Sequence, residues 1–206
     1  MTQTSAKSPT MGPLRIPREK FWNAPNAITL GRIAASFLLL LLPLFTGRVG
    51  SAVMGLGFLA VSLTDLLDGY LARRGGQVTR IGKLLDPIAD KVLVLTALLM
   101  LAATPDRIPL WGAFMVVIIL AREIGVTGLR AMASTEGVVI QASWLGKWKA
   151  GFQIAAMTCL FLHHTWFGIP MHTVGMGLLM LATGLTLWSG YDYFVAYLGK
   201  GENPGA

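Results

Sequence analysis

Residues 62–92 read SLTDLLDGYLARRGGQVTRIGKLLDPIADKV. Apolar runs lead into and out of this stretch, yet it holds Asp65, Asp68, Asp86 and Asp90, four of the ten acidic residues in a chain of 206. An isolated aspartate costs about 2.5–3.5 kcal/mol at the centre of a membrane helix, and less near the interface. Four of them close together need something that offsets their charge.

The surrounding composition makes the membrane setting the leading one. The chain is 54% hydrophobic and only 13% charged, with a mean hydropathy of +0.62. A soluble domain carries about 25% charged residues, so much of this surface faces something other than water. The single cysteine, Cys159, excludes an internal disulfide framework. The net charge of +7 suits anionic headgroups. The bases are scattered at segment ends rather than gathered on one helix face, which argues against nucleic acid.

Residues 1–20 are rich in Ser, Thr, Pro and Lys/Arg with no apolar h-region, and read as a flexible cytoplasmic arm rather than a signal peptide. Phe21 and Trp22 would pin a short interfacial segment to the bilayer. A membrane domain is expected over 21–200 and a tail over 201–206. The expected fold is all-α and polytopic, with six transmembrane helices at about 28–46, 49–72, 87–104, 109–130, 148–167 and 172–198, each near the ~20 residues a crossing needs. With the N-terminus cytoplasmic, all but Arg48 and Arg107 of the 17 Lys and Arg fall on the cytoplasmic side. The positive-inside rule then places both termini in the cytoplasm.

The second span runs apolar from Val49 to Thr64, about 24 Å of helix. Asp65 and Asp68 therefore reach the cytoplasmic edge of the hydrocarbon, and Asp86 and Asp90 return to the same depth from a short loop. Spacings of three and four put each pair on one helix face. Pairing with Arg73, Arg74 and Arg80 could offset part of the charge, but those bases can turn to headgroups. Hard divalent cations are the better match: Mg²⁺ or Mn²⁺ prefers carboxylate oxygens and commonly also binds substrate phosphates. Two such ions would form a clamp for in-line displacement at phosphorus. Gly69 and Gly82, with Ala72, leave room for a phosphate or nucleotide to approach the backbone.

Written out, the window is D-x2-D-G-x2-A-R-x8-G-x3-D-x3-D from Asp65 to Asp90. This resembles, position for position, the signature of the CDP-alcohol phosphotransferase family. The resemblance implies a six-helix membrane fold, commonly a homodimer, with a cytoplasm-facing two-metal site. It also implies transfer of a phosphatidyl group from CDP-diacylglycerol to an alcohol, with release of CMP. By that resemblance Asp65, Asp68 and Asp86 are metal ligands. Asp90 is the catalytic base with a share in the metal. Gly69, Ala72, Arg73 and Gly82 join Asp65 and Asp68 around the CDP group. The protein would be multi-pass in a bacterial-type inner (cell) membrane, with its active site facing the cytoplasm.

The acceptor should be set elsewhere. Span four ends in AREIGVTGLR, where Arg122 and Arg130 are two turns apart and share a face. ASWLGKWKAGFQ then brings Lys147 and Lys149 to the start of span five. A cationic pocket at the site's mouth suits an anionic acceptor such as a phosphate ester. Glu123 looks badly placed to serve Arg122, because neighbours in a helix do not face each other. These segments, with NAPNAITLGR (Asn23 to Arg32) and LTLWS (Leu185 to Ser189), resemble the branch of the family that uses glycerol 3-phosphate. That resemblance gives Arg122, Arg130, Lys147 and Lys149 to the acceptor phosphate, and Asn26, Thr29 and Arg32 to the nucleotide. The chain departs from the branch at Ala131, where Glu is usual, and at Ala150, where Thr is usual; both loosen the acceptor assignment.

Other acceptors within the same chemistry are serine, an inositol phosphate or phosphatidylglycerol. Membrane prenyltransferases also use Asp-rich motifs, but on more helices than this chain can form. A divalent-cation transporter is the reading from a different class. Its inverted repeats have no counterpart here, since the acid window lies in one half. His163, His164 and His172 read as outer-side loop residues without metal-site spacing. Gly55/Gly57 and Gly175/Gly177 read as ordinary membrane-helix glycines.

Overall fold

The computed structural model describes the backbone over 24–75, 80–135 and 144–201, and side chains over 26–64, 85, 87–133, 135, 146 and 148–195. Six α-helices run through these residues: α1 (Ala24–Leu38), α2 (Arg48–Gly75), α3 (Arg80–Ala103), α4 (Leu110–Thr135), α5 (Trp144–Leu162) and α6 (Met171–Gly201). The end of α1 tightens into a 3₁₀ turn over Leu39–Leu44, which contains Pro43. Proline lacks the N–H that an α-helical turn would need there, and the Phe45 amide closes the turn on the Leu42 carbonyl at 2.9 Å. The expected arm over 1–20 lies outside the described residues.

Polarity is arranged inside-out relative to a water-soluble bundle. Leu110 is 86% exposed, Phe114 71% and Ile124 66%. Meanwhile Arg32, Arg107, Lys149, Gln153 and Ser189 are buried. An apolar exterior this continuous is the surface of a protein solvated by lipid. Hydroxyls along the helices follow the same logic, since in hydrocarbon each must find a partner inside the protein. Ser36, Ser62 and Thr183 donate to the carbonyls of Arg32, Phe58 and Leu179 at 2.7–2.9 Å.

Among the described residues, three segments are long and apolar enough to cross a membrane: Asn26–Leu44, Leu110–Ala133 and Met171–Val195. Arg48–Thr64 and Trp148–Leu162 are shorter apolar helices. Span five also ends earlier than expected. His163 takes a positive φ of 57° and breaks the helix, and a hairpin follows. Its strands, β1 (Thr165–Trp166) and β2 (Ile169–Pro170), pair antiparallel. Phe167 and Gly168, at φ 51° and 79°, make its turn.

The core is built from Leu39 and Leu42, Phe58 of α2, Leu98 and Leu101 of α3, Ile119 of α4, Met157, Leu160 and Phe161 of α5, and Leu179 of α6. Helix α5 packs against α2 and, most extensively, α6; α1 packs on α3, and α4 on α6. Two glycines that looked ordinary in the sequence set these crossings. A Cβ at Gly55 would lie 2.9 Å from Leu162 Cγ, and one at Gly175 would lie 2.9 Å from Leu160 Cγ and 3.0 Å from its amide nitrogen. Their neighbours Gly57 and Gly177 face open space.

A buried arginine fastens the end where the hairpin lies. Arg107, 1% exposed, donates to the carbonyls of Leu160 and Phe161 at 3.0 and 2.7 Å and to Ser51 Oγ at 2.6 Å. It thereby satisfies the orphan carbonyls at the end of α5. His172 Nε2 lies 3.1 Å from the Arg107 carbonyl, and His164 Nε2 lies 3.2 Å from that of Thr46. The His163 ring packs edge-on to both His164 and His172, with centroids 5.2 and 5.1 Å away.

Candidate active site

Asp65 and Asp68 lie on α2, Asp86 and Asp90 on α3, so each pair sits on continuous helix at the expected spacing. The side chains of Asp65, Asp68, Gly69, Ala72, Arg73, Gly82, Asp86 and Lys147 lie outside the described residues. Among the described residues no group of three or more His, Cys, Asp and Glu could hold a metal ion. Asp90 is described and exposed. The expected ligands are all carboxylates, a donor set that fits a hard divalent cation.

Asn26, Thr29 and Arg32 are all buried, at 1%, 1% and 3% exposure. Successive spacings of three place them along one side of α1, the helix that packs against the acid-bearing α3. Buried polar side chains on a membrane helix are costly unless they have partners, so their burial marks this face as part of a polar interior.

Asp90 lines a cavity of about 330 Å³ enclosed by α3, α4, α5 and α6. Arg122, Arg130 and Lys149 line the same cavity. The catalytic candidate of the acid window and three of the four acceptor candidates are thus brought together, although they come from three different helices.

Glu123 organises this cluster, against the expectation from its position. Its Oε2 receives Lys91 Nζ at 3.2 Å, and its Oε1 receives both Lys149 Nζ and, at 3.3 Å, Arg122 Nη1. The rule that helix neighbours diverge applies to Cβ directions, whereas the arginine side chain is long enough to fold back across the turn. Arg122 Nη2 also donates to Ser189 Oγ at 2.7 Å. Arg130 Nη2 donates to the Tyr193 hydroxyl. Both guanidinium groups lie over the Tyr193 ring, 5.7 Å from its centroid for Arg122 and 4.9 Å for Arg130. Lys91, Ser189 and Tyr193 were missed as site residues in the sequence. Glu123 carried a usable signal, since an acid inside an apolar span is a functional candidate by default.

An all-α membrane protein that sets the last of four helical aspartates in a cavity edged by arginine and lysine has the build of a phosphoryl-transferring enzyme at a lipid surface. The chain belongs to the CDP-alcohol phosphatidyltransferase family, whose profile matches residues 22–188, and it is an enzyme of that class. It is 39% identical over 185 residues to the CDP-diacylglycerol–glycerol-3-phosphate 3-phosphatidyltransferase of Bacillus subtilis, covering 84% of this chain and 94% of the relative. The protein of the same name from Rickettsia typhi is 37% identical over 177 residues, covering 84% of this chain and 96% of that protein. A cardiolipin synthase (CMP-forming) from Oryza sativa is 33% identical over 199 residues, covering 89% of this chain and 59% of that protein.

Proposed function

We propose that this enzyme transfers the phosphatidyl group of CDP-diacylglycerol to glycerol 3-phosphate, giving phosphatidylglycerophosphate and CMP. The observation that carries the reading is the shared cavity of Asp90, Arg122, Arg130 and Lys149. Of the charged groups lining it, Lys91, Arg122, Arg130 and Lys149 stand against Asp90 and Glu123. The surplus of two positive charges matches a phosphate monoester, which carries about −1.5 to −2 near neutral pH. A volume of about 330 Å³ lies at the small end of ligand sites, and suits a three-carbon ester better than a second phospholipid. The names borne by the Bacillus and Rickettsia relatives support the same acceptor.

In this mechanism Arg122, Arg130 and Lys149, with Lys147 from the same helix end, hold the acceptor phosphate. Asp90 accepts the proton of the acceptor's 1-hydroxyl as that oxygen attacks the phosphorus attached to diacylglycerol. Asn26, Thr29 and Arg32 from α1, with Gly69, Ala72, Arg73 and Gly82, bind the CDP portion. Asp65, Asp68 and Asp86, with Asp90, would hold two Mg²⁺ or Mn²⁺ ions, which supply charge stabilisation to the pyrophosphate and the leaving CMP. All six helices would cross the bilayer, with both termini and the site on the cytoplasmic side.

The test is CMP release by the purified protein with CDP-diacylglycerol, Mg²⁺ or Mn²⁺, and each acceptor in turn. Release with glycerol 3-phosphate alone, abolished by EDTA, is expected. Release only with serine, an inositol phosphate or phosphatidylglycerol would overturn the acceptor. No release with any of them would return the metal-transporter reading to the front.

A further inference from the structure

Two kinds of anchor hold the bases around the cavity. Glu123 takes Lys91, Lys149 and, at 3.3 Å through Nη1, Arg122 in ion pairs. The anchors on α6 are neutral. Ser189 is fully buried, and its hydroxyl accepts from Arg122 at 2.7 Å while lying 3.3 Å from the Thr186 carbonyl to which it donates, so its direction is set from both sides. Tyr193, 4% exposed, accepts from Arg130 through its hydroxyl and offers its ring to both guanidinium groups. Between them, Gly190 leaves the space in which Arg122 crosses α6: a Cβ there would lie 3.2 Å from Arg122 Cγ and 3.7 Å from its Nε. That Nε is buried and has no hydrogen-bond partner among the described residues.

We propose that Ser189, Gly190 and Tyr193 of α6 are positioning residues that hold Arg122 and Arg130 side by side for the phosphate of the acceptor. The inference rests on the acceptor reading above and adds to it the element that sets acceptor affinity. Two like charges brought over one ring repel each other, and an aromatic face with a hydroxyl and a serine oxygen offsets that repulsion without adding a counter-charge to the one Glu123 already supplies. A second carboxylate, placed on α6, would hold them as well but would compete with the substrate. The helix that looks most like a plain membrane anchor therefore determines how tightly the small substrate binds.

The experiment measures steady-state kinetics of the full chain in detergent for Tyr193→Phe, Ser189→Ala, Ser189→Thr and Gly190→Ala, with thermal midpoints alongside. Inorganic phosphate, competing with the acceptor, serves as a probe of the anion site. Tyr193→Phe and Ser189→Ala should each raise KM for glycerol 3-phosphate and the phosphate inhibition constant about tenfold, as expected for loss of one charge-assisted hydrogen bond. KM for CDP-diacylglycerol and the thermal midpoint should stay put. Ser189→Thr, which keeps the hydroxyl, should restore most of the affinity, and Gly190→Ala should weaken acceptor binding in the same selective way. Unchanged acceptor KM and phosphate inhibition in all variants would overturn the proposal. So would a parallel loss for both substrates with a lowered midpoint, which is the mark of a merely structural role. If the wild type ignores glycerol 3-phosphate, the acceptor reading fails. Phosphate inhibition with the acceptor it does use then decides separately whether α6 sets the arginine pair.

Discussion

Asp90 and Glu123 are carboxylates lining one cavity, but their surroundings give them different work. Asp90 is exposed on α3, in reach of a small substrate, whereas Glu123 is tied to bases from three helices. Asp90→Asn should lower kcat at least about a hundredfold, the usual scale for losing a general base. CDP-diacylglycerol binding, followed by equilibrium retention on the lipid, should largely survive; unchanged turnover would sink the assigned role. Glu123→Gln should act on the assembly first, because it leaves the buried Lys149 ammonium without its counter-charge. Its thermal midpoint in detergent should fall, and Lys149→Gln in the same chain should recover part of the loss. Strict additivity of the two changes would show that the pair is not coupled. The acids and bases were legible in the sequence because charge inside an apolar run stands out. Tyr193 and Ser189 were not, because a tyrosine and a serine in an apolar helix look ordinary until α6 packs against α4, some sixty residues earlier in the chain.

At the scale of elements, the six helices were readable from hydropathy, but the start of α3 at Arg80, the end of α5 at Leu162 and the crossings between helices were not. Gly55→Ala and Gly175→Ala should each destabilise the protein by about 1–3 kcal/mol, since the added methyl would overlap α5, 2.9 Å from its nearest atom. Gly57→Ala and Gly177→Ala, which face open space, should be neutral or nearly so in the same thermal assay. A glycine's sequence context does not reveal which side of the helix a neighbour will occupy, and these pairs show the consequence. The hairpin end offers a second test. Burial, with Arg107 and the two other histidines nearby, holds the His163 imidazole down to about 4 against an ordinary 6.5. The unfolded chain therefore takes up a proton near pH 6.5 that the folded chain refuses until about pH 4. Stability from this group is complete above about 6.5 and is lost as the pH falls toward 4. Unfolding midpoints measured across that window should decline, and His163→Gln should flatten the decline. From sequence Arg107 was only placed on the side opposite the other bases; its burial as a cap for α5 depends on packing against residues more than fifty positions away.

For the whole molecule, the apolar exterior and the distribution of bases make orientation a checkable matter. Phe167, 98% exposed at the hairpin tip, should react from outside intact cells with an impermeant maleimide once replaced by cysteine in a Cys159→Ser background. Cysteine at Thr135 should react only after the membrane is opened, and the reverse pattern would invert the topology. The cavity has one more consequence at this scale. Its walls come from α3, α4, α5 and α6, and a single carboxylate ties the first three together, so whatever fills it joins four helices at once. Folding and occupancy are then thermodynamically linked: at a hundred times its Kd, a ligand that binds only the folded form adds about 2.7 kcal/mol of stability. Glycerol 3-phosphate should therefore raise the melting temperature even before CDP-diacylglycerol is supplied. The small substrate would act as a fifth piece of the scaffold, and heat alone would report its affinity.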